Sequence, residues 1–210
     1  MNGIIFDVDG TLWDSTETVA QSWNQAIKEQ SDLEKRVTGT ELMGEFGKPL
    51  EVIMSNLFPM LTEEQRISLS IHLFNYENRL VAVQPCKIYE GVAETIRTLS
   101  DKYPLFIVSN CQAGYIEAFL QNTGLGSYFT DYTCPGDTGM LKGDNIRLIM
   151  KRNGLKQGIY VGDTQGDADA CEEAGIPMIF AAYGFGKVQG EFRTIYSFPE
   201  LLTIDYENIK

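Results

Sequence analysis

Two aspartates near the beginning of the chain have the setting and spacing that catalysis requires. Asp7 and Asp9 lie in the segment Asp-Val-Asp-Gly-Thr and directly follow the apolar run 3–6, which predicts a buried strand. Gly10 permits a tight turn that can bring both side chains into one cleft, where one carboxylate attacks an electrophile and the other transfers protons. The alternative for this short match is an acidic turn that only leads into a helix.

A second acidic segment, Gly-Asp-Thr-Gln-Gly-Asp, follows the apolar run 158–161. Asp163 and Asp167 are separated by one helical turn, so their side chains can face the same point. Together with Asp7 they supply hard oxygen ligands of the kind that Mg2+ takes while it keeps several waters. Their mutual repulsion also calls for a cation. For Asp167 alone, the alternative is a helix N-terminal acid favoured by the helix dipole.

Four short apolar runs predict the strands that must position these residues. They do not alternate with polar residues, so the strands are expected to be buried on both faces, with helical patterns between them. This order predicts a parallel sheet whose ligand site lies beyond the carboxyl ends of the strands. The runs are 3–6, 105–108, 158–161 and 177–182. The polar residues that end them, and are predicted to converge, are Asp7, Asp9, Ser109, Asn110, Gly162 and Asp163.

The stretch 15–83 differs because it contains no comparable strand run and has the pattern of successive helices. The spacing of a capping box, which starts a helix, occurs at Asp14 and Glu17 and again at Thr62 and Gln65. An all-helical insert after the first strand would form a small bundle above the sheet edge. Hinges near 12–15 and 83–91 would connect it to the sheet, so the insert is predicted to act as a lid.

The order of these motifs resembles the haloacid dehalogenase superfamily over nearly the whole chain. The matching residues are Asp7-x-Asp9-Gly-Thr, Ser109-Asn110, Lys142 and Gly162-Asp163-Thr-x-x-Asp167. The insert resembles the small helical cap of the phosphoglycolate phosphatase and β-phosphoglucomutase-like branch. Segments 47–50 and 184–186 are similar to parts of the phosphoglycolate phosphatase and pyrophosphatase members.

The resemblance implies an α/β fold with a three-layer, Rossmann-like parallel sheet. This core is expected at 1–14 and 84–210, with a small all-α cap inserted after strand 1 at 15–83. The implied activity is that of a Mg2+-dependent phosphatase, a phosphomonoester hydrolase that acts on a small phosphorylated metabolite through an aspartyl-phosphate. Phosphoglycolate or a sugar phosphate is the type of substrate that this branch suggests.

The family mechanism assigns a role to each matching acid. Asp7 would attack phosphorus, and Asp9 would protonate the leaving alcohol and then take a proton from the attacking water. Mg2+ would be held by the Asp7 carboxylate, the Asp9 backbone carbonyl and Asp163. Asp167 would support that site from outside the ligand set or through a water.

Four further residues are expected to bind the phosphoryl group by the same resemblance. They are Thr11, Ser109, Asn110 and Lys142. Ser109, the neighbouring backbone N–H groups and the lysine would let an acidic protein hold an anion. Lys142 is followed by Gly143, whereas many relatives have proline there, so the loop departs from the family pattern.

Two residues are candidates for substrate specificity. Lys48 lies in a Gly/Pro-rich loop of the insert and would reach a distal anionic group of the substrate, or else be solvated. Trp13 follows the first motif and would line the leaving-group pocket, or else pack at the hinge.

Composition restricts the partners and the compartment. The 210 residues carry a formal net charge of -12, which argues against sequence-independent binding to nucleic acid and against adhesion to anionic membranes. Four scattered cysteines without a C-x-x-C pair are expected to be reduced thiols of a cytoplasmic protein. No apolar stretch is long enough to span a bilayer. The expected partner is a small phosphate ester, bound by a monomer or a small homo-oligomer.

Other functions stay open at this point. A β-phosphoglucomutase-like transferase would return the phosphoryl group to sugar, but the arginine-bearing loop and hinge histidine of that branch have no evident counterpart. A pyrophosphatase is a further alternative. Dehalogenases of the superfamily lack the second aspartate, so Asp9 argues against that reaction. The single histidine, His72, is expected to be a structural residue of an insert helix, which disfavours a Ser-His-Asp hydrolase. The intact motifs disfavour a binding module without turnover.

Overall fold

A computed structural model describes residues 2–206 of the chain; Met1 and residues 207–210 of the predicted core range lie outside the described residues. The strands are β1 (Asn2–Phe6), β2 (Trp13–Asp14), β3 (Lys87–Ile88), β4 (Leu105–Val108), β5 (Phe129–Thr133), β6 (Gln157–Gly162), β7 (Met178–Ala181) and β8 (Arg193–Ile195). Six of them form one parallel sheet in the order β5-β4-β1-β6-β7-β8. The predicted α/β fold with a parallel sheet is therefore confirmed.

Helices connect these strands. They are α1 (Thr16–Gln30), α2 (Gly39–Met43), α3 (Leu50–Leu57), α4 (Glu63–Val81), α5 (Val92–Ser100), α6 (Tyr115–Thr123), α7 (Pro135–Thr138), α8 (Lys142–Arg152) and α9 (Gln165–Ala174), with 3-10 turns at Gly126–Tyr128 and Phe198–Thr203. The first four follow one another with no strand between them, as the pattern over 15–83 predicts. Among the described helices, none combines the length and apolar character that a bilayer span needs.

Both faces of the sheet are buried, as the lack of alternation predicts. Ile4 and Phe6 of β1 belong to the larger apolar cluster, which also includes residues of α1, α4 and α5. Ile5 points to the opposite face and packs in the second cluster, with Phe106 of β4 and residues of α8 and α9. Successive side chains of a strand point to opposite faces, so an apolar residue is required at every position when helices cover both.

The pattern misses two edge strands. β5 reads Phe-Thr-Asp-Tyr-Thr and β8 reads Arg-Thr-Ile, and both lie at the borders of the sheet. An edge strand is partly solvated, so polar residues are tolerated along it and the apolar run disappears. Periodicity therefore identifies the central strands and not the borders.

Of the two predicted capping boxes, one is confirmed and one is wrong. The Thr62 hydroxyl accepts from the backbone N–H of Gln65, and the backbone N–H of Thr62 donates to Oε1 of Gln65, so this box starts α4. At the other site α1 begins one residue later than the box requires, with Ser15 as its N-cap and no side-chain cap bond. Asp14 lies in β2 and accepts from the backbone N–H of Thr16 at 3.1 Å instead.

The chain passes from the sheet into the helices 16–81 through β2 and returns through β3, and these two strands form a two-stranded antiparallel ribbon. Trp13 of β2 pairs with Ile88 of β3, and Asp14 pairs with Lys87. These pairs lie in the two regions where hinges are predicted. The ribbon therefore holds the two connections side by side.

A buried acid lies between the two longest helices of the insert. Glu77 of α4 is 5% exposed and accepts a hydrogen bond from Nε1 of Trp23 in α1 at 2.5 Å. No ion pair of the described residues involves Glu77. Burial raises the pKa of Glu77 to about 7, against the opposing effect of hydrogen bonds from Gln112 and Trp23.

We expect the substitution Glu77→Gln to remove part of the pH dependence of stability. The unfolded carboxyl loses its proton above its ordinary pKa of 4.5, whereas the folded one keeps it up to about 7. The folded state therefore loses stability as pH rises through this window, by up to about 1.4 kcal/mol per pH unit. The amide stays neutral and still accepts from Trp23, so the variant avoids this loss.

The measurement is urea denaturation of both proteins at several pH values. Relative to the wild type, the variant's free energy of unfolding should rise by about 1 to 3 kcal/mol between roughly pH 5 and pH 7 and then level off. Glu64→Gln, at an exposed position of the same helix, is the matched control and should show no such rise. A difference between Glu77→Gln and wild type that is constant with pH would contradict the assignment.

Candidate active site

Three neighbouring strands deliver polar side chains to one edge of the sheet. Asp7 directly follows β1, Ser109 follows β4 and Asp163 follows β6. β1 lies between the other two in the sheet, and all three run in the same direction. The carboxyl ends therefore meet, as the sequence predicts for these residues.

A buried lysine connects two of the acids. The Nζ atom of Lys142 lies 2.9 Å from Oδ1 of Asp7 and 2.5 Å from Oδ1 of Asp167. The lysine is the first residue of α8 and is only 4% exposed. A Cβ at Gly143 would lie 2.7 Å from Oε2 of Glu173 and 3.3 Å from the backbone carbonyl oxygen of Ala170, both in α9.

Asp163 is held by donors from two other segments. Its Oδ1 accepts from the Thr11 hydroxyl at 3.2 Å, and its Oδ2 accepts from the backbone N–H of Phe185 at 2.7 Å. Gly10 has φ of +81°, and a Cβ there would lie 2.2 Å from Oδ2 of Asp163. The glycine of the first motif is thus required both by its left-handed backbone and by the close approach of this carboxylate.

Both carboxylate oxygens of Asp167 have partners. Oδ2 accepts from the backbone N–H groups of Asp163 and Thr164 and from the Thr164 hydroxyl, and this forms the capping box that starts α9. Oδ1 contacts Lys142. The side chain therefore caps its own helix and holds the lysine at the same time.

The carboxylates form a compact acidic cluster. One oxygen from each of Asp7, Asp163 and Asp167 lies within 4.8 Å of the others, and all three residues are buried. Set against Lys142, three carboxylates leave two negative charges. Burial raises the pKa of Asp7 and of Asp163, and repulsion from Asp167 adds to both, while Lys142 opposes it. Burial lowers the pKa of Lys142, but the carboxylates of Asp167 and Asp7 raise it by more than burial lowers it. The net shift is upward, so the lysine stays charged.

This donor set fits a hard divalent cation. Mg2+ prefers carboxylate and carbonyl oxygens, and its two charges would balance the excess of the cluster. Asp167 is the most heavily engaged of the three, because its Oδ2 accepts three hydrogen bonds and its Oδ1 contacts the Lys142 ammonium, whereas each oxygen of Asp163 accepts one. Asp7 and Asp163 therefore remain the better suited carboxylate ligands.

Asp9 lies apart from the acidic cluster. Its Oδ1 accepts from the Ser15 hydroxyl at 2.6 Å and from the Tyr115 hydroxyl at 2.8 Å. Burial raises the pKa of Asp9 to about 8, although the hydrogen bonds from Ser15 and Tyr115 oppose the shift. The two acids of the first motif thus occupy different surroundings, one beside a cation and one beside hydroxyl groups.

The residues predicted to bind phosphate lie around the cluster. Ser109 is buried, and its hydrogen bond to Asp7 opposes part of the rise in the pKa of that carboxyl. The Thr11 side chain contacts Asp163. Asn110 faces the helical insert, where its Nδ2 donates to the backbone carbonyl of Gly47 at 2.8 Å. This bond joins the insert to the loop that carries Ser109.

The two specificity candidates differ in surroundings. Lys48 is 41% exposed and pairs with Oε2 of Glu45 at 3.0 Å. Trp13 is fully buried and packs edge-on against Phe119, with ring centroids 4.9 Å apart. Its Nε1 is the one buried side-chain nitrogen or oxygen without a hydrogen-bond partner within residues 2–206.

A cavity of about 640 Å³ lies between the insert and the sheet edge. The insert lines one side with Gly44, Phe46, Gly47 and Lys48, and the core lines the other with Asn110 and Lys142. Asp7, Asp9 and Asp163 are not among the lining residues. Gly47 has φ of +89°, and a Cβ there would lie 2.8 Å from Thr164, so the loop is seated tightly against the start of α9. The insert thus contacts the N-cap of α9, the helix that carries Asp167.

Sequence reasoning missed three residues of this site. Ser15 and Tyr115 contact Asp9, and the backbone of Phe185 contacts Asp163. Ser15 lies only six residues after Asp9, so its position in the sequence could have indicated the contact. Tyr115 has no local signal, since it is 106 residues away from Asp9.

Fold and site together define a class of protein. A Rossmann-like parallel sheet carries an aspartate at the end of its central strand, beside a buried lysine and a second aspartate from the adjacent strand. Residues 4–181 match the model of the haloacid dehalogenase-like hydrolase family. The chain belongs to this family, and the predicted membership is confirmed.

Phosphatases stand among its relatives. The phosphoglycolate phosphatases of Yersinia pseudotuberculosis and Escherichia coli K12 are 24% and 25% identical, and each comparison covers 88% of this chain and 82% of the relative. The crystal structure of a predicted phosphoglycolate phosphatase from Haemophilus somnus superposes with a TM-score of 0.80 at 22% identity, over 96% of each chain. The protein is an enzyme, a phosphatase of this family.

Proposed function

We propose that the protein is a Mg2+-dependent phosphatase that hydrolyses a small phosphorylated metabolite through an aspartyl-phosphate on Asp7. One observation carries the proposal: the Asp7 carboxylate lies buried at the edge of the sheet, 2.9 Å from the Lys142 ammonium and in the same cluster as Asp163. A buried carboxylate beside a fixed cation is suited to meet an anionic phosphoryl group.

In the first half of the reaction, an Asp7 carboxylate oxygen attacks phosphorus and the bond between phosphorus and the leaving oxygen breaks. Asp9 gives its proton to that oxygen, so the leaving group departs as a neutral alcohol. In the second half, water attacks the phosphorus of the aspartyl-phosphate. Asp9 takes a proton from that water, and inorganic phosphate leaves with Asp7 restored.

Asp7, Asp163 and the backbone carbonyl of Asp9 would hold Mg2+. When bound, the ion neutralises charge on the nonbridging phosphoryl oxygens. Asp167 would act through Lys142, whose ammonium it holds at 2.5 Å. Ser109, Thr11 and Asn110 would complete the phosphate site together with Lys142.

Residues 15–83 would serve as a cap over a core formed by 1–14 and 84–210. The cavity of about 640 Å³ between them suits a small metabolite and excludes a folded phosphoprotein. Both relatives named above are phosphoglycolate phosphatases, so phosphoglycolate is the first candidate substrate. Lys48, which lines the cavity, would reach a distal anionic group of the substrate. Trp13 is fully buried against Phe119, so its role would be packing at the hinge. A cytoplasmic monomer or small homo-oligomer acting on free metabolites completes the proposal.

A phosphate-release screen with Mg2+ tests the function. We expect phosphate from at least one compound among phosphoglycolate, sugar phosphates, nucleotides and pyrophosphate, and we expect EDTA to abolish that release. Mg2+ should also raise the melting temperature, because it binds only the folded cluster; binding at about 100 times Kd adds about 2.7 kcal/mol. A protein that binds Mg2+ but releases no phosphate from any compound would be a binding module.

Product analysis separates the remaining alternatives. Release of phosphate from pyrophosphate alone would favour a pyrophosphatase. A sugar phosphate converted into its isomer without free phosphate would favour a transferase of the β-phosphoglucomutase type.

A further inference from the structure

The hydroxyl group of Tyr115 contacts the Asp9 carboxylate from the core side of the site. Tyr115 is the first residue of α6 and is 1% exposed. Its hydroxyl lies 2.8 Å from Oδ1 of Asp9 and 2.8 Å from the Ser15 hydroxyl, which itself lies 2.6 Å from the same Oδ1. The three oxygens form a closed triangle in which each pair is within hydrogen-bond distance.

The triangle constrains the hydrogens. Each hydroxyl carries one hydrogen, and the Asp9 oxygen can only accept while it is unprotonated. Both hydroxyls are placed to donate to Oδ1, so two hydrogens converge on that atom. When the carboxyl is neutral, its own hydrogen is therefore favoured on Oδ2.

Oδ2 of Asp9 differs from Oδ1. Among the hydrogen bonds of residues 2–206, none engages Oδ2, and Asp9 is only partly buried. One oxygen is thus fixed by two donors while the other stays available. A proton donor needs this arrangement, because the proton must be carried by the oxygen that can reach the leaving group.

We infer that Tyr115 is a positioning residue that pins Oδ1 of Asp9 and so directs the proton of this carboxyl to Oδ2, from which it passes to the leaving oxygen. This inference rests on the proposed function. Ser15 supplies the second donor, but it is the N-cap of α1, the first helix of the insert. Tyr115 is the first residue of α6, a helix that lies outside the insert in the chain.

The ring of Tyr115 provides the support for this role. It packs edge-on against Trp13, with centroids 6.2 Å apart, and Trp13 is fully buried. Tyr115→Phe removes only the hydroxyl and keeps this packing. The variant therefore tests the hydrogen bond with little disturbance of the core.

The test compares two substrates of nearly equal shape, phenyl phosphate and p-nitrophenyl phosphate. The phenolate is the poorer leaving group, so its departure depends more on a proton from Asp9. In single-turnover kinetics, which isolates the first step, we expect Tyr115→Phe to lower the rate constant for phenyl phosphate by about tenfold to hundredfold. The rate constant for p-nitrophenyl phosphate should change by less than about threefold. Tyr196→Phe, at a position 75% exposed, is the matched control and should change neither.

A double-variant cycle shows whether the effect passes through Asp9. In an Asp9→Asn protein, adding Tyr115→Phe should cause no further selective loss for phenyl phosphate. Ser15→Ala removes the other donor and should change the same ratio in the same direction, so it replaces Tyr115→Phe if that variant does not fold.

The possible outcomes distinguish a failure of the role of Tyr115 from a failure of the proposed phosphatase function. An equal loss for both esters, or an additive loss in the Asp9→Asn protein, would overturn the role of Tyr115 and leave the proposed function standing. A wild-type protein that hydrolyses neither the two esters nor any compound of the screen would contradict the proposed function, and the role of Tyr115 with it.

Discussion

Asp7→Asn is expected to lower kcat on the order of ten-thousand-fold or more, because the amide cannot form the aspartyl-phosphate. The substitution is nearly isosteric, and an amide oxygen still accepts from the Lys142 ammonium 2.9 Å away. Steady-state phosphate release with the best substrate of the screen measures the effect. Retained turnover would remove Asp7 as the nucleophile.

The melting temperature of the Asp7→Asn protein tests separately whether the variant stays folded. Asp7 belongs to a cluster in which three carboxylates face one lysine, and burial raises its pKa against the opposing attraction of Lys142, with a smaller addition from Asp167. An amide avoids the cost of burying a charge, which outweighs the lost attraction to Lys142, so the melting temperature in EDTA should stay equal or rise. Asp101→Asn, at an exposed position, is the control for both readings and should change neither. A large fall in melting temperature would mean that lost activity reflects unfolding.

Asp9→Asn should give the second largest effect, and its size should depend on the leaving group. General acid catalysis contributes about a hundredfold to ten-thousand-fold, so kcat for phenyl phosphate should fall by that factor. For p-nitrophenyl phosphate the loss in the first step should be much smaller, because that leaving group needs no proton. The amide oxygen can still accept from Ser15 and Tyr115, so the geometry is retained.

Two measurements complete this prediction. Single-turnover kinetics isolates the first step from the later attack of water, in which Asp9 also takes part. Asp14→Asn is a demanding control, because Asp14 is near Asp9 in sequence but, within residues 2–206, its hydrogen bonds come from Thr16. The selectivity of this variant between the two esters should match the wild type. Equal losses for both esters in Asp9→Asn would argue against its role as the acid.

The local sequence was sufficient to locate the centre of the site. Runs that are apolar at every position must lie in strands buried on both faces, and parallel strands bring their carboxyl ends to one edge. Asp7, Ser109 and Asp163 end three such runs, so their convergence could be predicted from the chain. The helical character of 15–83 was equally evident, since no strand run occurs there.

Contacts between distant segments needed the folded chain. Tyr115 reaches Asp9 across 106 positions, and Asn110 reaches the Gly47 carbonyl across 63. Such contacts depend on the rotation of α6 about its axis and on how the insert closes over the sheet. No periodic pattern encodes either of these.

Consecutive residues encode the order of the buried strands and the acids at their ends, because burial on both faces leaves an apolar run along the chain. The partners of these acids follow from the folded chain: Asp167 holds Lys142, and the Tyr115 hydroxyl from α6 holds Asp9. The pKa and partners of a carboxyl depend on the few ångströms around it, and packing brings those neighbours together from segments far apart in the chain.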